Sequence, residues 1–243
     1  TTMTTLFISD LHLDDSRPLI TRLFVDFLRA EAIAAKALYI LGDLFEAWIG
    51  DDSANETADQ VAIALADLHA RAVPCFFVHG NRDFLLGDAY ARRAGITLLP
   101  DPCVIHVEGE RVLLMHGDTL CIDDAPYQAF RAQSRAPLWQ HAFLRQPKAR
   151  RSSFAEHARA ESMRYTRSVD DTITDVNPEA VSEAMQRHGV RRLIHGHTHR
   201  PAVHTIDLDG EPAERIVLGD WYEQGSVLRA DDARFSLSKL PVH

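Results

Sequence analysis

Five short apolar runs in this chain each stop on a residue type that binds metal ions or phosphate. Leu6-Phe7-Ile8 leads into Ser9-Asp10-Leu11-His12, and residues 37–41 lead into Gly42-Asp43. Residues 75–78 lead into His79-Gly80-Asn81, residues 111–115 into His116-Gly117, and residues 192–194 into His195-Gly196-His197-Thr198-His199. Runs this short read as buried strands. In an extended backbone, residues i and i+2 point the same way, so Asp10 and His12 are expected to face one point. If the strands are neighbours, their carboxyl ends share an edge, which is where open α/β sheets bind ligands. The glycines beside these residues are expected to allow tight turns directly after each strand.

The segments between these runs predict an alternating α/β chain. Leu23, Phe24, Phe27, Leu28 and Ile33 have helical spacing within 19–35, and Val61, Leu65 and Leu68 within 54–72. A short helix is expected over 88–94, closed by Gly95, and another over 178–189 with Pro178 in its tolerated first turn. Strands return at 103–107 and 111–115, and then at 202–208, 215–218, 226–229 and 235–240. Early strand–helix alternation followed by a strand-rich end predicts a two-sheet core with helices outside.

Charge sets one segment apart. The chain of 243 residues has a net charge of −9, which does not favour nucleic acid as a partner. Residues 125–170 carry nine Lys or Arg and three acids, so this segment is +6 and the rest of the chain −15. It is expected to be helical, interrupted at Pro137 and Pro147, and inserted into the core, because the strand pattern resumes after it. Basic residues alternate with Tyr127, Phe130, Leu138, Trp139, Phe143, Leu144, Phe154 and Met163. That mixture suits a lid with an apolar chamber and a basic rim for anionic headgroups. Three unpaired-looking cysteines point to a reducing compartment, no signal peptide is expected before the first strand, and no run approaches a membrane span. A cytoplasmic protein is expected.

Four histidines, two aspartates and one asparagine exceed the needs of one tetrahedral ion. Two ions need one shared ligand, and Asp43, a carboxylate in a central run, is expected to bridge. With no thiolate nearby, the mixture suits Mn, Fe or Zn. Two such ions about 4 Å apart can clamp both oxygens of an in-line phosphoryl displacement.

The set Asp10-x-His12, Gly42-Asp43, Gly80-Asn81-Arg82-Asp83, His116-Gly117-Asp118 and Gly196-His197-Thr198-His199 resembles the calcineurin-like metallophosphoesterase superfamily along nearly the whole chain. That resemblance implies an αββα two-sheet sandwich over residues 3–243, with the helical lid at about 125–170. It implies one ion on Asp10, His12, Asp43 and His199, and a second on Asp43, Asn81, His116 and His197. Residues 41–52, 79–84, 116–124 and 195–201 are similar, more narrowly, to the branch that cleaves the pyrophosphate of UDP-2,3-diacylglucosamine in lipid A synthesis. This branch attacks the alpha phosphorus with metal-activated hydroxide, usually with Mn2+, and yields UMP and 2,3-diacylglucosamine 1-phosphate. The resemblance implies catalytic roles for Asp43, Asn81, Arg82 and His116. It implies substrate contacts at Asn81, Arg82, Asp124, Ser162, Thr166 and His197, and peripheral attachment to the inner membrane. A lysine that contacts substrate in the branch falls at Val169 here.

Arg82 stands where many superfamily members carry a histidine acid. A guanidinium does not give up its proton at neutral pH but binds phosphate oxygens in a planar fork. A phosphate leaving group needs no acid, so Arg82 favours a diphosphate over an alkyl monoester. A phosphatase or nuclease with a soluble substrate would instead show an open groove without an apolar chamber. A scaffold that had lost its metals would be expected to have lost ligands too.

Overall fold

Three separate apolar layers define the architecture of the computed structural model, which describes residues 3–232 and 234–242. The end of the expected domain at residue 243 lies outside these residues. The strands are β1 (Thr5–Ile8), β2 (Ala37–Leu41), β3 (Cys75–Val78), β4 (Ile96–Leu99), β5 (Cys103–Val107) and β6 (Glu110–Leu114), followed by β7 (Arg192–His195), β8 (Ala202–Leu208), β9 (Glu211–Val217), β10 (Gly225–Asp231) and β11 (Arg234–Leu240). The helices are α1 (Pro18–Ala30), α2 (Glu56–Ala70), α3 (Asp88–Ala94), α4 (Ala125–Ser134), α5 (Pro137–Leu144), α6 (Lys148–Ser168), α7 (Asp171–Thr174) and α8 (Pro178–His188).

One sheet has the order β11-β10-β1-β2-β3-β4, with β1 to β4 parallel; the other has the order β5-β6-β7-β9-β8, with β6, β7 and β9 parallel. Strand periodicity divides the side chains between layers. Leu6, Ile8, Leu38, Ile40 and Phe77 pack against α1 and α2 through Phe24, Leu28, Val61 and Leu65. Their neighbours Phe7, Leu41 and Val78 face Leu114, Ile194 and Ile216 of the other sheet. Beyond that sheet, Leu113 and Leu193 meet Val181 and Met185 of α8. Helices, sheet, sheet and helix therefore stack as αββα, as expected.

The five runs do not share one sheet edge. The loops after β1, β2 and β3 leave the first sheet and those after β6 and β7 leave the second, so the site lies on the seam between two sheets. The sequence pattern does not predict strand β4, because its four residues, Ile-Thr-Leu-Leu, follow Gly95 directly and carry a weak pattern. The helical insertion spans α4 to α6. Pro137 opens α5 and Pro147 caps α6, so each proline starts a helix rather than breaking one.

Candidate active site

The loops after β1 and β2 run side by side. Asp10 N–H donates to Gly42 O at 3.0 Å, His12 N–H to Asp43 O at 2.9 Å and Leu13 N–H to Leu44 O at 2.9 Å. The backbone there is not extended. Asp10, His12 and Asp43 have φ of 54°, 49° and 52°, and His197 and His199 have 72° and 55°. Left-handed backbone at non-glycine residues is unfavourable and gathers at functional sites. Asp10 and His12 thus converge through two left-handed turns, not through strand alternation. Two of the four glycines meet the expectation and two differ from it. Gly42 and Gly117 adopt positive φ of 87° and 117°. A Cβ on Gly80 would overlap the Asp43 carboxylate, and one on Gly196 would overlap Asp10 and Ser9, so at these two positions the need is close approach rather than a turn.

Each carboxylate has one oxygen tied up and one left free. Asp10 Oδ2 accepts from the Ser9 hydroxyl at 2.5 Å and from His197 N–H at 3.0 Å. Its Oδ1 is buried without a hydrogen-bond partner, 3.3 Å from His199 Nε2 and 3.9 Å from His12 Nε2. Asp43 Oδ1 accepts from the backbone N–H of Arg82 at 2.8 Å. Its Oδ2 stands 3.6 Å from His12 Nε2 and 3.7 Å from His116 Nε2, between two imidazoles. His12 Nε2 and His199 Nε2 are 3.1 Å apart. Four donors around one ion at zinc–nitrogen distances would be separated by about 3.4 Å; Asp10, His12 and His199 are spaced as such a set, Asp43 Oδ2 reaches His12 beside them, and Asp10, Asp43 and His116 form a second close group. On the far side of Asp43, Asn81 Oδ1 lies 2.9 Å from both His116 Nε2 and His197 Nδ1. His116 Nδ1–H donates to Leu41 O at 2.8 Å, which turns Nε2 toward Asp43 and Asn81. All seven predicted donors converge, with Asp43 central, and an orphaned buried carboxylate oxygen among imidazole nitrogens fits a divalent cation.

Electrostatics agree with that fit. Burial opposes charge on His116, but Asp43, Asp10 and Asp118 outweigh it and lift the imidazole to about 9. Burial raises Asp10, yet His199, His116 and His12 hold it below the carboxylate range. His197 is pushed down to about 4 by burial and by His116. Negative charge thus concentrates at the centre, where it attracts protons or cations.

Residues 3–201 match the calcineurin-like phosphoesterase family. The chain belongs to that family. A UDP-2,3-diacylglucosamine hydrolase of Stenotrophomonas maltophilia strain K279a is 58% identical over 245 residues, covering 98% of this chain and 99% of the relative. One of Xanthomonas oryzae pv. oryzae strain PXO99A is 57% identical over 247 residues, covering 99% and 100%. A solved archaeal phosphodiesterase shares the fold, with a TM-score of 0.50 at 11% identity over 98% of this chain and 100% of its own. Membership of the calcineurin-like phosphoesterase family implies divalent metal ions, and the Asp/His groups above are their candidate holders.

From this phosphoesterase centre a cavity of about 450 Å³ runs under the insertion. It begins at Asn81 and Arg82 and ends against aromatic rings. Trp139 stacks on Phe143 at 4.9 Å, Phe154 meets Phe143 edge-on at 5.3 Å, and Phe84 lies 6.3 Å from Trp139. Of the predicted substrate contacts, Asn81, Arg82, Asp124 and Ser162 line this cavity. Asp124 also caps α4, accepting from Tyr127 N–H at 3.0 Å. Thr166, one turn beyond Ser162, is exposed and lies outside the lining, and His197 is held at the metal end.

The insertion is not uniformly a free basic surface. Four of its cations pair with carboxylates outside it: Arg131 and Arg135 with Asp118, Arg151 with Asp52 and Arg159 with Glu46. Arg145, Lys148, Arg150, Arg164 and Arg167 are exposed, and Lys148 adds to the hydrogen bond from Arg151 in lowering the Asp52 carboxyl.

Several supporting residues of this phosphoesterase site were not read from the sequence. Asp83 is fully buried and accepts four backbone N–H bonds: from Asp43 at 3.2 Å, Gly80 at 3.0 Å, Leu44 at 2.7 Å and Phe45 at 3.3 Å. It ties the β2 and β3 loops together. Burial and the nearby Asp43 push it up to about 6. Asp118 is buried and accepts from Tyr127 Oη at 2.5 Å and Arg131 Nε at 2.7 Å, fastening α4 to the loop after β6. Tyr222 stacks on His12 at 5.0 Å. Asp83 and Asp118 each lie two residues past an expected ligand, Asn81 and His116, and that spacing is the signal the sequence offers.

Proposed function

We propose that the chain hydrolyses the pyrophosphate of UDP-2,3-diacylglucosamine to UMP and 2,3-diacylglucosamine 1-phosphate, the step this branch carries out in lipid A synthesis. The observation that carries the reading is the aromatic-walled cavity opening at Asn81 and Arg82, beside the seven converging donors. An acyl sugar would fit a chamber of this kind, and a small phosphate would not need one. The two relatives bear the name of this activity.

Asp10, His12, Asp43 and His199 would hold one divalent ion, and Asp43, Asn81, His116 and His197 the other, Mn2+ by the resemblance. Bound there, the ions supply Lewis acidity and a nucleophile from water at neutral pH. The chain's own side chains do the rest. Arg82 lines the cavity with a planar guanidinium, suited to neutralise phosphate oxygens as charge develops. Asn81 presents a neutral oxygen and so leaves the local positive charge undiminished. No acid is required, because the departing group is a phosphate. The aromatic wall under α6 keeps bulk water from the acyl chains.

Release of UMP from UDP-2,3-diacylglucosamine, compared with hydrolysis of p-nitrophenyl phosphate, tests this. A large preference for the lipid nucleotide is expected; a marked preference for the small phosphate contradicts it. The same reading places the protein at the cytoplasmic face of the inner membrane. The exposed Arg145, Lys148 and Arg150, next to exposed Leu138 and Leu144, would meet anionic lipid there. No helix among the described residues is long and apolar enough to cross a membrane. Cosedimentation with anionic vesicles, lost on changing the three cations to Glu, is expected; retention by that variant would remove the membrane assignment.

A further inference from the structure

Glu46 joins three parts of the molecule. It follows the β2 loop, and its side chain is 5% exposed. Its Oε2 lies 3.4 Å from Nδ1 of His12, the nitrogen opposite the one that faces Asp43 and His199, in ion-pair range but without a well-aligned hydrogen bond. Its Oε1 accepts no well-aligned hydrogen bond, yet two guanidinium groups from separate elements meet it. Arg159 of α6 places Nε at 3.2 Å, and Arg82 of the loop after β3 places Nη1 at 3.8 Å. Glu46 and Arg159 line both the 450 Å³ cavity and a second of about 320 Å³ beyond it, so their ion pair is part of the partition between the two.

A carboxylate on the far nitrogen of a ligating imidazole fixes the tautomer and the ring orientation. A carboxylate that is itself fixed does this better than one free to rotate. Here the lid supplies part of the fixing, through Arg159. We propose that Glu46 is a positioning residue through which the lid helix α6 sets the orientation of His12, coupling lid seating to affinity for the ion on the His12 side. The inference rests on the metal-dependent reading above and concerns only how one ligand is held. Anionic phosphate arriving at Arg82 would compete with Glu46 for that guanidinium, leaving Arg159 as the carboxylate's main cation.

Manganese titration of the full chain, followed by the electron paramagnetic resonance of free Mn2+, tests this without any substrate. Glu46→Gln keeps the shape and removes the charge. It is expected to weaken one of the two manganese sites by about 10–100-fold, as for other outer partners of metal ligands, and to leave the second unchanged. Arg159→Gln, on an exposed helix face, is expected to weaken the same site more mildly and to speed amide exchange over residues 155–165. Because Arg159 acts through Glu46, the double variant should bind no more weakly than Glu46→Gln alone. Wild-type loading of both sites by Glu46→Gln overturns the proposal, as does an Arg159→Gln effect that adds in full to it. If Glu46→Gln fails to fold, wild-type loading and exchange in Arg159→Gln overturn it alone. Since no lipid nucleotide is present, these results and those on UMP release succeed or fail separately.

Discussion

At the residue scale, the site is made by pinning one oxygen of each carboxylate and freeing the other. Arg82 N–H holds Asp43 Oδ1, and Ser9 with His197 N–H holds Asp10 Oδ2, so the free oxygens can only face the imidazoles. Asp83 supports this by gathering four N–H groups from two loops. In Asp83→Asn, the amide nitrogen would confront N–H donors and leave them buried and unpaired. A loss of about 2–4 kcal/mol is expected at roughly 1–3 kcal/mol per unsatisfied group, read as a lower midpoint in urea unfolding; an unchanged midpoint would show that the four bonds do not matter. A second consequence concerns protons. With His116 lifted to about 9, the metal-free protein at pH 7.5 carries a proton on that ring. The raised value means that the proton stabilises the metal-free fold fully below the ordinary histidine value of 6.5, and that this contribution fades as pH rises through about 9. A ligating imidazole must be neutral, so metal uptake at pH 7.5 should release about one proton from it. Manganese-binding calorimetry in buffers of different ionisation enthalpy should show that release, and its absence would count against His116 as a ligand.

At the scale of elements, ion pairs fasten the helical insertion at three places among the described residues. Arg151 is buried and forks onto Asp52 at 2.6 and 2.8 Å while Nη1 also donates to Ile49 O at 2.6 Å; Asp118 holds α4; Glu46 holds Arg159. Removing the fork with Arg151→Met should free the start of α6, speeding amide exchange over 148–160 and raising KM for the lipid nucleotide more than it lowers kcat. A fall in kcat at constant KM would mean that the lid serves chemistry rather than acyl binding. The sequence pattern shows the insertion, its prolines and its aromatic residues, because helix length and composition are local. It does not show that Arg131, Arg135, Arg151 and Arg159 pair with carboxylates of the body, because their partners Asp118, Asp52 and Glu46 belong to other loops and pairing depends on the tertiary fold. The same limit explains the loop after β1: the motif Asp10-x-His12 is plain in the chain, whereas its two left-handed residues follow from docking beside residues 43–46.

At the scale of the whole molecule, two sheets meet so that each supplies part of one site. The first contributes the candidate ligands Asp10, His12, Asp43 and Asn81, and the second His116, His197 and His199, so metal bound there and the packing of Phe7, Leu41 and Val78 on Leu114 and Ile194 would reinforce each other. Asp43 is the shared residue on which this arrangement turns. The most direct test is a crystal structure of the manganese-loaded protein with anomalous maps at the manganese edge. Two peaks about 4 Å apart are predicted, one among Asp10, His12, Asp43 and His199, the other among Asp43, Asn81, His116 and His197. A single peak, or two peaks that do not share Asp43, would contradict the account.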